Sequence, residues 1–197
     1  MMITADDLEA AVSSMFATLQ PVTNRDWSAT AGTLEWDCWH TAEHIGDCLL
    51  SYALQLAAQP ATRYVRAVAT AQEDASPAEV LEFAMACGGI LAATVRTASP
   101  DARGYHPTGL AGPEGFAGLG CVEALLHAQD VAQGLGLDLD PPRDVCARVL
   151  AWRFPRASAE LAAGIDPWTA LQWATGRVEI PGHPRLAQWW RSEAVPQ

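Results

Sequence analysis

The sequence predicts an all-α protein: a four-helix bundle with a short, mostly helical C-terminal extension. Apolar residues recur at helical spacing through four long segments, capping residues or prolines open those segments, and no stretch alternates convincingly as a strand. With 197 residues, 50% of them hydrophobic, the chain can bury one sizeable core.

In chain order, Thr4 caps a first helix running to about Leu19, with Asp7 at its third position and Pro21 closing it. Thr33 opens a second, long helix through LEWDCWHTAEHIGDCLLSYALQLAA as far as Pro60. TRYVRAVATAQ reads as a shorter helical segment. SPAEVLEFAMACGGILAATVRTA opens on Ser76, with Pro77 in first position and Glu79 completing a capping box. Its Gly88-Gly89 pair permits close packing against a neighbour. SPDARGYHPTGLAGPEG is loop by its glycine and proline content, and a fourth helix begins near Pro113 and ends in GLGLDLDPP. Beyond Pro141, RDVCARVLAWRF and PWTALQWATG read as shorter helices and RVEIPG as extended. Residues 1–140 thus form the bundle and 141–197 the extension.

The formal net charge is −11, and arginine supplies every fixed positive charge because there is no lysine. That balance argues against nucleic acid or an anionic membrane as partner. The N-terminus MMITADDLEA has no basic region leading into an apolar run, and no uninterrupted apolar stretch of about 18 residues occurs. Neither a signal peptide nor a membrane span is expected. Five widely spaced cysteines suit reduced thiols better than a disulfide framework, so a cytoplasmic location is expected.

The chemistry concentrates in FAGLGCVEALLHA, Phe116 to Ala128. Apart from the Cys121 thiol, its only ionisable side chains are Glu123 and His127. A carboxylate buried without a partner is costly, and four-residue spacing puts both side chains on one helix face. The second helix offers His40 and His44, also four apart, with Trp36 and Cys48 continuing the row. Two imidazoles and a carboxylate on facing helices make a three-ligand metal site that leaves positions open, and a hydrogen-bonded core pair is the alternative.

Cys48 and Cys121 read as buried thiols outside that ligand set. Asp130 either orients His127 or lies solvated near the helix end. Trp36 and Trp39 read as core aromatics that also wall the pocket. His106, in GYHPTG, reads as a general base or substrate-holding residue, or else as a loop histidine packed on Tyr105 and Pro107.

LEWDCWHTAEHIGDCLLSYALQLAAQ resembles the first conserved segment of the DinB-like family that includes mycothiol-dependent maleylpyruvate isomerase. In that family a tryptophan stands eight residues before the first metal-binding histidine, a spacing that Trp36 and His44 keep. GCVEALLHAQDVAQGLG is similar to the second segment, onto which Glu123, His127 and Asp130 map. GYHPTGLAGPEGFAG is similar to loops of actinobacterial relatives, and PWTALQWATGR to a terminal TGR motif. The resemblance implies a divalent metal, usually zinc, held by His44, Glu123 and His127. It implies a low-molecular-weight thiol such as mycothiol as cosubstrate, whose thiolate attacks a small electrophile. It also implies pairing of two copies as an option.

The isomerase carries a larger C-terminal domain with basic substrate-binding residues, and residues 141–197 do not align with it, which sets maleylpyruvate itself apart. Arg177 is the candidate to meet an anionic group, or else forms a structural ion pair at the last helix. Three function classes follow. The first is a metal-dependent thiol transferase or isomerase. The second is a metal-dependent hydrolase or lyase with metal-bound water as nucleophile and His40 or His106 as base. The third is a non-catalytic scaffold that binds metal or ligand.

Overall fold

The computed structural model describes residues 2–161 and 164–186, and these are mostly helical. Helix α1 (Ala5–Leu19) starts where its sequence says it should. The Thr4 hydroxyl accepts the Asp7 amide, the Asp7 carboxylate accepts the Thr4 amide, and a 3-10 turn containing Pro21 follows the helix. Helix α3 (Pro77–Thr97) repeats the device with Ser76 and Glu79. Such reciprocal capping satisfies amides that the helix cannot, so both starts are local properties of the chain.

Helix α2 spans Cys38–Ala58 and does not begin at Thr33. Asp37 is its cap, with Oδ1 accepting the His40 amide at 2.8 Å. Residues Thr30 and Asp37 pair across a turn that contains Gly32 at φ +52°. Capping at Asp37 leaves residues 33–36 to that turn.

TRYVRAVATAQ is irregular where a short helix was expected. Two of its amides are taken up by α2 instead: Ala69 donates to Asp47 Oδ1 at 2.8 Å and Ala71 to Glu43 Oε1 at 3.0 Å. Carboxylates one turn apart on α2 thus replace bonds a helix would have made internally.

The expected loop of residues 99–115 contains a small antiparallel hairpin, β1 (Gly104–His106) and β2 (Gly109–Ala111). The Tyr105 amide donates to Pro60 O at 2.8 Å, pinning the hairpin to the end of α2. Gly104 lies so close to α2 that a Cβ there would meet Gln55 O at 2.5 Å, so the approach requires glycine.

Helix α4 (Pro113–Gly134) is central, packing against α1, α2 and α3. Every residue from Gly115 to Ala132 is buried except Glu123. Helices α1 and α2 each pack against both α3 and α4. Beyond them, α5 (Arg143–Arg153) packs on α4 and α1, a short α6 (Pro155–Glu160) follows, and α7 (Pro167–Ala174) packs on α5. Trp152 of α5 lies against Gly118, where a Cβ would come within 2.5 Å of its ring. In the stretch RVEIPG only Ile180 is bridged, to His183 across a turn.

Among the described helices, α3 is long and apolar enough to cross a membrane by length and composition, with 39% of its most apolar window buried against the rest of the protein.

Candidate functional site

Helices α2 and α4 pack together, and each turns one polar row toward the other. On α2 the row is His44, Cys48 and Tyr52, at four-residue steps, followed by Gln55. On α4 it is Glu123, His127 and Asp130. The His44 and His127 rings stand nearly perpendicular with centroids 5.1 Å apart. His127 Nε2 lies 3.3 Å from Glu123 Oε2, and its Nδ1 lies 3.1 Å from Asp130 Oδ2. Tyr52 donates its hydroxyl proton to Glu123 Oε1 at 2.9 Å. Cys48 Sγ is 3.4 Å from His44 Nε2. A ring nitrogen of His44, the Cys48 sulfur and a Glu123 oxygen all lie within 4.8 Å of one another.

Two of the three expected ligands, His44 and Glu123, fall in that group, with Cys48, expected as a plain buried thiol, as its third member; His127 lies outside the group and touches it through Glu123 and the His44 ring. Gln55 is fully buried one turn past Tyr52, and its side chain finds no hydrogen-bond partner among the described residues.

The protons are constrained by the partners. An ionised carboxylate can only accept, so His127 Nδ1 carries the hydrogen that Asp130 receives. Its Nε2 then faces a second carboxylate oxygen at 3.3 Å, and two electron-rich atoms so placed need a cation between them, a proton or a metal ion. Burial disfavours charge on His127, but hydrogen bonds to Asp130 and Glu123 outweigh it and raise its pKa. Burial likewise opposes ionisation of Glu123, yet His127, Tyr52 and His44 together hold its carboxyl below the usual range. Burial, then the neighbouring His127, push His44 down toward the neutral form. Burial, then Glu123 and Asp47, push the Cys48 thiol up.

The donor chemistry fits a divalent ion. Imidazole nitrogen, carboxylate oxygen and thiol sulfur are the ligand types of zinc. Two donors on one tetrahedral zinc stand roughly 3.3 to 3.6 Å apart, given bonds of about 2.0 to 2.3 Å. The 3.3 Å edge of His127 with Glu123 and the 3.4 Å edge of His44 with Cys48 both have that length.

Arg177 meets a carboxylate of the protein itself with its fork. Its Nε and a terminal nitrogen donate to the two oxygens of Asp130 at 2.9 and 2.6 Å, and both side chains are buried. This is the ion-pair alternative, made to α4. Asp130 is only 1% exposed, so it orients His127 and is not solvated. Burial raises its pKa, but hydrogen bonds from His127 and Arg177 prevail and lower it. A cavity of about 340 Å³ lies beside this pair, bordered also by Thr33, Thr175 and Arg185.

His106 packs on Tyr52 and Tyr64, with centroids 6.1 and 6.5 Å away, where Tyr105 and Pro107 were expected. Its Nδ1 accepts the Thr108 amide at 3.3 Å, which leaves the ring proton on Nε2. Burial, then the Arg153 guanidinium, push its pKa down to about 4 against the pull of Glu123.

Trp36 is not a core residue: it is 48% exposed and stands edge-on to His44, with centroids 4.9 Å apart. Trp39 and His40 border a separate, outer cavity of about 790 Å³ with Glu43, Glu73 and Asp74. Trp39 donates its indole proton to Ala75 O there. His40 is thus removed from the ligand cluster.

Tyr52, Cys48 and Arg153 are the site residues that sequence reasoning misses. The first two continue the four-residue row from His44, a signal present in the spacing. Arg153 arrives from α5 with no local signal. No family model, curated protein or solved structure matches this chain.

Proposed function

We propose that this chain is a cytoplasmic, DinB-like metalloenzyme built on a four-helix bundle of α1 to α4. It transfers a low-molecular-weight thiol of the mycothiol type to a small electrophile, or isomerises the electrophile through a reversible adduct. The observation that carries this reading is His127, held between two carboxylates, Nδ1 at Asp130 and Nε2 at Glu123, with the His44 ring 5.1 Å away. His44, Glu123 and His127 would hold the ion. Zinc in that place would supply Lewis-acid activation, drawing the proton from a coordinated thiol.

The remaining roles belong to the chain. Asp130 fixes the His127 tautomer and ring plane, and Arg177 holds Asp130 by a two-point contact. Tyr52 holds one oxygen of Glu123 and leaves the other toward His127. Trp36, half exposed and edge-on to His44, offers an aromatic surface to a small molecule. His106, neutral near pH 7 with its proton on Nε2, is the group that gives or takes a proton at the bound electrophile.

The hydrolase or lyase reading needs a base outside the ligand set. With His40 on the outer cavity, that demand also falls on His106. The scaffold reading requires no base at all.

The test is metal content of the chain purified without chelator or affinity metal, wild type beside Glu123→Ala, followed by thiol-dependent turnover of model electrophiles. The expected result is about one equivalent of zinc per chain, lost in the variant. A folded wild type that takes up no metal ends the enzyme reading. Bound metal without thiol-dependent turnover, in wild type and His106→Ala alike, favours the scaffold.

A further inference from the structure

We infer that Cys48 is a ligand of the same ion, so that the donor set is two imidazoles, one carboxylate and one thiolate. This rests on the metal reading above and adds a residue to it. Cys48 stands one turn after His44 on α2, its sulfur 3.4 Å from His44 Nε2 and within 4.8 Å of a Glu123 oxygen. Two contacts bring the four side chains together in pairs, His44 with Cys48 on α2 and His127 with Glu123 on α4, and His44, Cys48 and Glu123 form one group between the helices while His127 lies outside it, joined through Glu123. Each contact has the length that one tetrahedral ion imposes on two of its ligands, roughly 3.3 to 3.6 Å.

The charges agree. One thiolate and one carboxylate neutralise a divalent cation, and two neutral imidazoles complete the set, so no net charge is left in the core. On binding, the S–H bond of Cys48 breaks, its proton leaves to solvent, and the sulfur keeps the electron pair for the metal. The consequence is a site with four protein donors in place of three. An external thiol then enters by displacing Cys48 or by adding a fifth ligand, so Cys48 sets the threshold for entry.

The other cysteines are differently placed. Cys121, only two residues before Glu123, has Asp7, Cys146 and Arg148 as its charged or ionisable neighbours, on the far side of α4 from the site.

X-ray absorption at the zinc edge of the full chain loaded with one equivalent of zinc tests this, with wild type beside Cys48→Ala and Cys121→Ala. The expected spectrum of wild type and Cys121→Ala contains one sulfur at about 2.3 Å among nitrogen and oxygen neighbours at about 2.0 to 2.2 Å. Cys48→Ala loses the sulfur and holds zinc at least roughly tenfold more weakly against a competing chelator. Zinc bound by wild type through nitrogen and oxygen alone overturns the assignment of Cys48 and leaves the three-ligand reading standing. A wild type that binds no zinc overturns both. If Cys48→Ala fails to fold, by circular dichroism, the spectra of wild type and Cys121→Ala still decide.

Discussion

Two histidine–aspartate pairs, each spanning three residues of sequence, occupy opposite settings in this molecule. His40 and Asp37 meet at 2.8 Å at the start of α2, with side chains 63% and 26% exposed. His127 and Asp130 meet at 3.1 Å inside α4, with side chains 10% and 2% exposed. The contact lengths are similar, but the surroundings differ. Water can replace either partner of the first pair, whereas the second is tied to Arg177 on one side and Glu123 on the other. Contact distance alone does not rank such pairs, and burial and further partners do.

Replacement of Asp130 by alanine attacks the buried pair directly. It leaves a guanidinium and an imidazole without their shared acceptor, and urea unfolding should show a loss of about 3–5 kcal/mol. A smaller loss, comparable with that of His40→Ala, would break the comparison. Asp130→Leu combined with Arg177→Met removes both buried charges together. Its loss should fall short of the sum of the two single substitutions by roughly 1–3 kcal/mol in a double-mutant cycle.

Acid sharpens the contrast from another position. His106 has a folded pKa near 4 against an ordinary 6.5, so the fold favours its neutral ring. That contribution is present above pH 6.5 and is lost as pH falls through 4. Stability measured between those values should fall less steeply in His106→Gln than in wild type. Tyr52, Tyr64 and Thr108 touch the ring, Arg153 and Glu123 act on it through their charge, and all five are unchanged by that substitution. The smallest effect belongs to the exposed pair: His40→Ala should cost no more than about 1 kcal/mol and leave zinc content unchanged. Loss of zinc in that variant would move the metal to the outer cavity.

The comparison also explains which parts of the molecule could be read from its residues. The starts of α1 and α3 depend on Thr4 with Asp7 and Ser76 with Glu79, partners three residues apart, so local chemistry suffices. The start of α2 was expected at Thr33 and lies at Asp37, because the turn across Thr30 and Asp37 takes up the residues between. Residues 62–72 were misread because their amides are held by Glu43 and Asp47 of an earlier helix, a contact that no window around the segment contains. In the site, Glu123 with His127 is visible from spacing. The Asp130–Arg177 pair joins residues 47 apart, and Arg177 taken alone suggested an anion ligand because an arginine after a helix suits either role. Cys48 was passed over because buried thiols are common, and only its 3.4 Å approach to His44 distinguishes it.

The two-point grip of Arg177 on Asp130 has a consequence for how the protein is made. A chain synthesised from its N-terminus completes α4 about forty residues before it reaches Arg177, a delay of roughly 2 to 8 s at ordinary elongation rates. Throughout that interval the nascent chain carries Asp130 without its guanidinium, in the helix where the site is to form. The turn that carries Arg177 therefore acts as a latch on biosynthesis: Asp130 gains its guanidinium, beside the bond it accepts from His127 within α4, only after translation has passed residue 177.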